Sequence, residues 1–195
     1  MKYNTAVKAH GSIPEGKKIL DEVFTGNGLT VFQHDICKGV APAFRSCDAI
    51  HTEIAWVAGY KKFTQGSIAE DTTFDEYCSA ISSLCRELKI PAFVVCGKQN
   101  VKKLHPDRIV SVWYAFHRIE ALYAIFNYEE DFSPKDEYEG RDFVARTFDN
   151  VLDPCCGFGI IAEDLQRYGK EGVLTDINTT CLEYVNDRFI RKGEK

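Results

Sequence analysis

Asp153-Pro154-Cys155-Cys156-Gly157-Phe158-Gly159 places an acid and a glycine-x-glycine step directly after the apolar pair Val151-Leu152. Gly172-Val173-Leu174-Thr175-Asp176-Ile177-Asn178 then gives a second apolar run that ends in an acid. Glycine lets backbone approach a ligand closely. An acid at the end of the second strand of a strand–turn–helix–strand unit is placed to grip a pair of ribose hydroxyls. The spacing therefore predicts half of a nucleotide-binding unit, with Asp176 on the sugar.

Gly157-x-Gly159-x-x-Ala162 also fits the dinucleotide fingerprint. Two features point elsewhere. The unit lies near the end of the chain, whereas a dinucleotide domain normally begins with it, so the rest of the sheet is expected upstream. Asp153-Pro154 also precedes the glycines, and an acid there suits an ammonium group rather than a pyrophosphate. Together they favour S-adenosyl-L-methionine over NAD.

Val151-Leu152-Asp153-Pro154-x-x-Gly157-x-Gly159, followed by Thr175-Asp176-Ile177-Asn178 and by Tyr184 and Arg188, resembles the C-terminal half of a circularly permuted amino-methyltransferase. This is the family of DNA adenine-N6 and cytosine-N4 methyltransferases in which the catalytic half comes first. The resemblance covers roughly residues 29 to 190. In that family the first half resembles a strand ending in Gly-Asp, then a strand ending in Asp-Pro-Pro-Tyr/Trp. Here Phe32-Gln33-His34-Asp35 and Asp48-Ala49-Ile50-His51-Thr52-Glu53-Ile54-Ala55-Trp56 stand in those places.

The resemblance implies a cofactor site made of Asp153, Pro154, Gly157, Gly159, Asp176 and Ile177, with Asp35 on the adenine side. It further implies that Glu53 and the Ile54 carbonyl accept the hydrogens of an exocyclic amine. Trp56 would then stack on a base flipped out of its helix. Positioning does most of the work in such a transfer. Two departures are visible: Glu53 is one methylene longer than aspartate, and Ile54-Ala55 replaces a rigid Pro-Pro pair.

The elements that must hold these residues read as alternating strands and helices. Pro14 to Phe24 is expected as a helix stopped by Gly26-Asn27-Gly28. Leu29 to Asp35 is expected as a strand with an acid at its end, and Cys47 to Ile54 alternates as a second strand. Asp71-Thr72-Thr73 caps a helix with Phe74, Tyr77, Ile81, Leu84 and Leu88 on one face. Pro91 to Cys96 has the continuous apolar pattern of a buried parallel strand. Ile109 to Phe116 and Ala121 to Tyr128 read as a pair of strands, with a helix open as the alternative for the second; Gly140 to Phe148 is expected as a helix and Thr179 to Ile190 as a terminal helix. The fold class is α/β: a three-layer, Rossmann-like methyltransferase sheet, circularly permuted. Residues 1–195 form one domain, with a catalytic half at 1–128, an acidic linker at 129–140 and a cofactor half at 141–195.

With 45% hydrophobic and 27% charged residues, the composition is that of an ordinary globular protein. No apolar run approaches the roughly 20 residues needed to span a bilayer, and the N-terminus lacks a signal-peptide core; a cytoplasmic protein with no membrane partner is expected. The eight cysteines form no Cys-x-x-Cys pair, so neither metal site nor disulfide framework is expected. A net charge of −5 excludes a uniformly basic surface. Contact with nucleic acid falls to local patches, Lys61-Lys62 and the segment with Lys102-Lys103, each otherwise a solvated loop. Family members acting alone usually insert a long target-recognition region between the halves. Here the interval is short and acidic, so a partner subunit or homodimer mate is expected to supply recognition. The altered tetrad leaves a catalytically inactive methyltransferase-like scaffold open, and the acidic charge leaves open a methyltransferase for a small molecule or protein.

Overall fold

The computed structural model describes residues 19–57, 59–115 and 118–191. In chain order its strands are β1 (Val23–Gly26), β2 (Leu29–Gln33), β3 (Ala49–Glu53), β4 (Ala92–Cys96), β5 (Arg108–Tyr114), β6 (Ile119–Phe126), β7 (Asn150–Asp153) and β8 (Glu171–Asp176). Its helices are α1 (Tyr60–Thr64), α2 (Phe74–Leu88), α3 (Lys98–Leu104), α4 (Glu137–Thr147), α5 (Ile160–Tyr168) and α6 (Thr179–Val185). All eight strands join one sheet in the order β1-β2-β8-β7-β3-β4-β6-β5. The run from β2 to β4 is parallel, while β1 pairs antiparallel with β2, and β6 antiparallel with both β4 and β5.

Helices cover both faces, giving three layers. On one side α2 and α3 pack Ile81, Leu84 and Leu104 against Ile50, Val94 and Leu152. On the other, α4, α5 and α6 bring Val144, Ile161, Leu165 and Leu182 against Phe93, Val95 and Val151. β4 shows why its sequence is apolar throughout: alternate residues serve opposite cores, and all five are buried.

The order of strands makes the crevice. From β7 the chain passes through α5 to β8 on one side; from β3 it passes through α2 to β4 on the other. Neighbouring parallel strands whose connections diverge in this way open a cleft at their carboxyl ends. Asp153 and Glu53 stand at those two ends.

Local signals set most elements. Thr73 and Glu76 form the expected capping box, with the Glu76 N–H on Thr73 Oγ1 at 3.2 Å and the Thr73 N–H on the Glu76 carboxylate at 2.8 Å. All eight cysteines are free thiols, and burial pushes Cys85 and Cys96 up to about 12.

Three expectations need correction. The segment read as a helix through Val23 and Phe24 is the strand β1; the part of that reading before residue 19 lies outside the described residues. Asn27 and Gly28 both take positive φ, 52° and 79°, which is the two-residue turn of a β-hairpin rather than a helix stop. The helix placed at Gly140 begins at Glu137, capped by Asp136. Before it, the acidic segment packs down, with Phe132 3% exposed against Phe93 and Tyr123. The terminal helix runs from Thr179 to Ile190 as expected, its last turn, Asn186–Ile190, taking π geometry. The two lysine segments are the helices α1 and α3, not loops.

Candidate active site

β7 delivers Asp153, 5% exposed, to the start of the glycine loop. The loop is stitched to β8: the Cys156 N–H donates to the Thr175 carbonyl at 2.8 Å, and the Thr175 hydroxyl donates to the Pro154 carbonyl at 3.2 Å. Asp176 completes the join. Its Oδ2 accepts the Gly157 N–H and its Oδ1 the Asn178 N–H, both at 2.8 Å. The Ile177 carbonyl accepts Gln33 Nε2 at 2.9 Å, tying the tip of β8 to that of β2.

The two glycines differ in purpose. Gly159 has φ +69°, and a Cβ there would lie 2.8 Å from Val185 Cγ2, so close packing on α6 requires its absence. Gly157 has φ +49°, and a Cβ there would meet nothing within 4 Å. Gly159 serves the protein's own packing; Gly157 faces open space that a ligand can approach. Between them, Phe158 sets its ring edge-on to Tyr184 at 5.2 Å.

Asp35, 4% exposed at the tip of β2, uses Oδ1 to cap a short 3₁₀ turn through the Cys37 N–H at 3.0 Å. His34 bonds the Gly39 carbonyl at 2.8 Å and His51 the Tyr123 hydroxyl at 3.3 Å, both packing roles. Burial holds His51 down at about 3, so the imidazole is neutral.

The tip of β3 is held by side chains. The Tyr114 hydroxyl donates to Glu53 Oε1. The Ile54 N–H continues the sheet onto the Val95 carbonyl at 3.1 Å. Ala55 lacks the ring of a proline, and two side chains pin it instead: its N–H donates to Tyr77 Oη at 3.2 Å, and Asn100 Nδ2 donates to its carbonyl at 2.9 Å. Tyr77 also donates to Cys155 Sγ at 3.4 Å, linking the two strand tips. Trp56 is half-buried, its indole against Gly97 and 5.7 Å from the Tyr114 ring. Its carbonyl accepts the Gly59 and Tyr60 N–H groups, which opens α1.

Three carboxyl groups thus converge from β3, β7 and β8. Burial, aided by the charges of Asp176 and Glu53, pushes Asp153 up to about 7. Burial likewise raises Glu53, against the pull of the Tyr114 hydrogen bond, and raises Asp176 against its backbone N–H donors. A carboxyl raised in part by neighbouring acids, as Asp153 is, favours a cationic ligand. Beyond the crevice, Lys61 and Lys62 are exposed on α1 and Lys102 on α3, while Lys103 is paired with Asp75 at 2.5 Å. Among the described residues no cluster of acids, histidines and cysteines has a metal-binding arrangement, and no helix is long and apolar enough to cross a membrane.

Sequence reasoning found the strand tips and missed what secures the tip of β3. Tyr77, Asn100, Tyr114 and Glu137 carry no local motif. The one usable signal was the departure from Pro-Pro, which obliges other groups to fix the Ala55 peptide.

No family model and no curated protein matches the chain. Solved structures do. The M1.HpyAVI–SAM complex superposes with a TM-score of 0.53 at 12% identity, over 83% of this chain and 98% of the other. A proposed DNA modification methylase from Thermus thermophilus gives a TM-score of 0.52 at 15% identity, over 83% and 94%. Its complex with S-adenosyl-L-methionine gives 0.51 at 14% identity, over 83% and 93%. The chain has the Rossmann-like α/β fold of these structures.

Proposed function

We propose that this chain is an S-adenosyl-L-methionine-dependent methyltransferase acting on an exocyclic amine, adenine N6 in DNA being the best candidate. One observation carries the reading. The acid-and-glycine loop of β7–β8 and the Glu53-Ile54-Ala55-Trp56 tip of β3 share the crevice where the chain connections diverge. Neighbours of the same fold, solved with that cofactor and including a proposed DNA modification methylase, support it. The reading includes the circular permutation, with the cofactor half at 141–195 inserted into a sheet begun by the catalytic half at 1–128.

The residues fit the cofactor. S-adenosyl-L-methionine supplies a methyl group on a sulfonium, together with an ammonium and a ribose diol. Asp153 and its acidic neighbours provide the negative potential that the cation needs. Asp176 keeps lone pairs for ribose hydroxyls beyond its backbone N–H donors, the open side of Gly157 admits the ligand, and Asp35 faces the adenine end beside Ile177. Glu53 Oε2 and the Ile54 carbonyl accept the hydrogens of the amine and turn its lone pair toward the methyl group. Glu53, raised by burial, can take the proton that the methylated amine sheds. Trp56 bounds the base pocket, and Lys61, Lys62, Lys102 and Lys103 lie on the two helices that could meet phosphates.

Two observations favour a second reading, a scaffold that binds without turnover: Glu53 already receives the Tyr114 hydroxyl, and Trp56 is half-buried. Calorimetry with the cofactor and tritiated-methyl transfer to single- and double-stranded DNA separate the two. Binding is expected at micromolar concentration, and Glu53→Gln should cut transfer at least a hundredfold while leaving cofactor affinity in place. Binding without transfer establishes the scaffold; no binding at millimolar ligand refutes both.

A further inference from the structure

We propose that Tyr114 is the positioning residue that adapts this site to a glutamate, tying back one carboxylate oxygen so that the other is presented to the substrate amine, and that Glu137 holds Tyr114 in register. The inference rests on the methyltransferase reading above and names what orients its acceptor acid. Glutamate brings one more rotatable bond than aspartate, and an acceptor that swings loses both aim and entropy on binding. A hydrogen bond to Oε1 removes that freedom.

The geometry around Tyr114 is built for the task. β5 lies beyond β4 and β6 from β3, so only a long, stiff side chain at its end can reach Glu53. Tyr114 is 7% exposed, and its ring leans on Trp56 at 5.7 Å and 45°. Directly after it the Ala115 N–H donates to both oxygens of Glu137, at 2.9 and 3.1 Å. Glu137 is 5% exposed at the start of α4, an expensive place for a carboxylate without a purpose. Its own carbonyl accepts the Tyr123 hydroxyl at 3.1 Å. One turn later Arg141 pairs with the buried Asp164, fixing α4 on α5.

Tyr114 from β5, Tyr123 from β6, Glu137, Tyr138 and Arg141 from α4, and Asp153 from β7 all face the Glu53 carboxyl. Two of them act in opposite directions. The Tyr114 hydrogen bond favours the carboxylate, whereas the Glu137 charge disfavours it. Removing the hydroxyl should therefore raise the Glu53 titration, and neutralising Glu137 should lower it.

The test is a pH titration of the full chain by difference infrared spectroscopy, with Glu53→Gln used to assign the carboxyl band. It is run beside the pH dependence of methyl transfer to DNA and the affinity for S-adenosyl-L-methionine. Tyr114→Phe should move the Glu53 titration and the acid limb of kcat upward by about one pH unit. It should also lower kcat on that acid limb about tenfold, with KM for DNA and cofactor affinity little changed. Glu137→Gln, which keeps an acceptor for the Ala115 N–H, should move both downward. A Tyr114→Phe titration that stays in place, or two variants that shift in the same direction, overturns the proposal. Shifts as stated but no transfer by the unaltered chain would leave the pair intact and overturn its role in amine positioning, together with the functional reading.

Discussion

At the tip of β7, backbone groups and one acid do nearly all the holding. Gly157, Asn178, Cys156 and Thr175 bond within a single strand–helix–strand unit, and the link from Gly157 to Asp176 spans only 19 residues. At the tip of β3 the order is reversed. Glu53 and Ala55 are secured by Tyr77, Asn100 and Tyr114, at separations of 22, 45 and 61 residues, from α2, α3 and β5. The β7–β8 loop draws most of its hydrogen bonds from its own unit, and the β3 tip is assembled by the rest of the fold. A short motif can specify the first. The second exists only once the sheet has closed, so it tolerates replacement of Pro-Pro by Ile54-Ala55 if distant side chains take over the work of the rings.

The largest effect that tests this contrast lies in the loop. Gly159→Ala must hold a side chain at φ +69° against Val185 and is expected to lose about 3 kcal/mol in urea unfolding. Gly157→Ala, with open space beside it, should lose about 1 kcal/mol. Equal losses would mean that the loop is not held by packing on α6.

Next comes the pH dependence of cofactor affinity. Asp153 titrates at about 7, and its carboxylate form favours the cation. Affinity should fall about tenfold for each pH unit below about 7, and Asp153→Asn should flatten the profile. The linkage to folding has the opposite sense. A carboxyl raised in the folded state binds more protons there than when unfolded, so without ligand its contribution to stability declines as pH rises from about 4 to about 7. Added cofactor should offset that decline above about pH 7; a calorimetric profile flat from about pH 5 to 8 would remove Asp153 from the cation site.

The smallest effect probes the other tip. Tyr77→Phe leaves the Ala55 N–H without its acceptor and should cost about 1 kcal/mol in stability. It should lower methyl transfer more than cofactor affinity. Equal losses in both would place Tyr77 in the loop alone, through Cys155, and blur the division between the two tips.

Legibility followed the same division. The capping box at Thr73, the apolar strands and the acid–glycine loop could be read because each is a contact between near neighbours in the chain. The Asn27-Gly28 turn was also legible in principle; it was read as a helix stop because the apolar spacing of Ile19, Leu20, Val23 and Phe24 suits a helix as well. The acidic segment before α4 looked like a linker, since nothing local says that Phe132 finds Phe93 or that Glu137 is buried under Ala115.

By itself the sequence determined the layered α/β class, the glycine loop with Asp153 and Asp176, and the strand that carries Glu53 to a tip. Each follows from hydropathy period, cap chemistry or the conformational freedom of glycine. Only the tertiary structure decided that β7 and β3 lie side by side, that the charges of Asp176 and Glu53 help to raise Asp153, and that Tyr114 reaches Glu53 from the far edge of the sheet. Those are consequences of strand order, and strand order is settled by long-range packing of two cores, which no window of neighbouring residues contains.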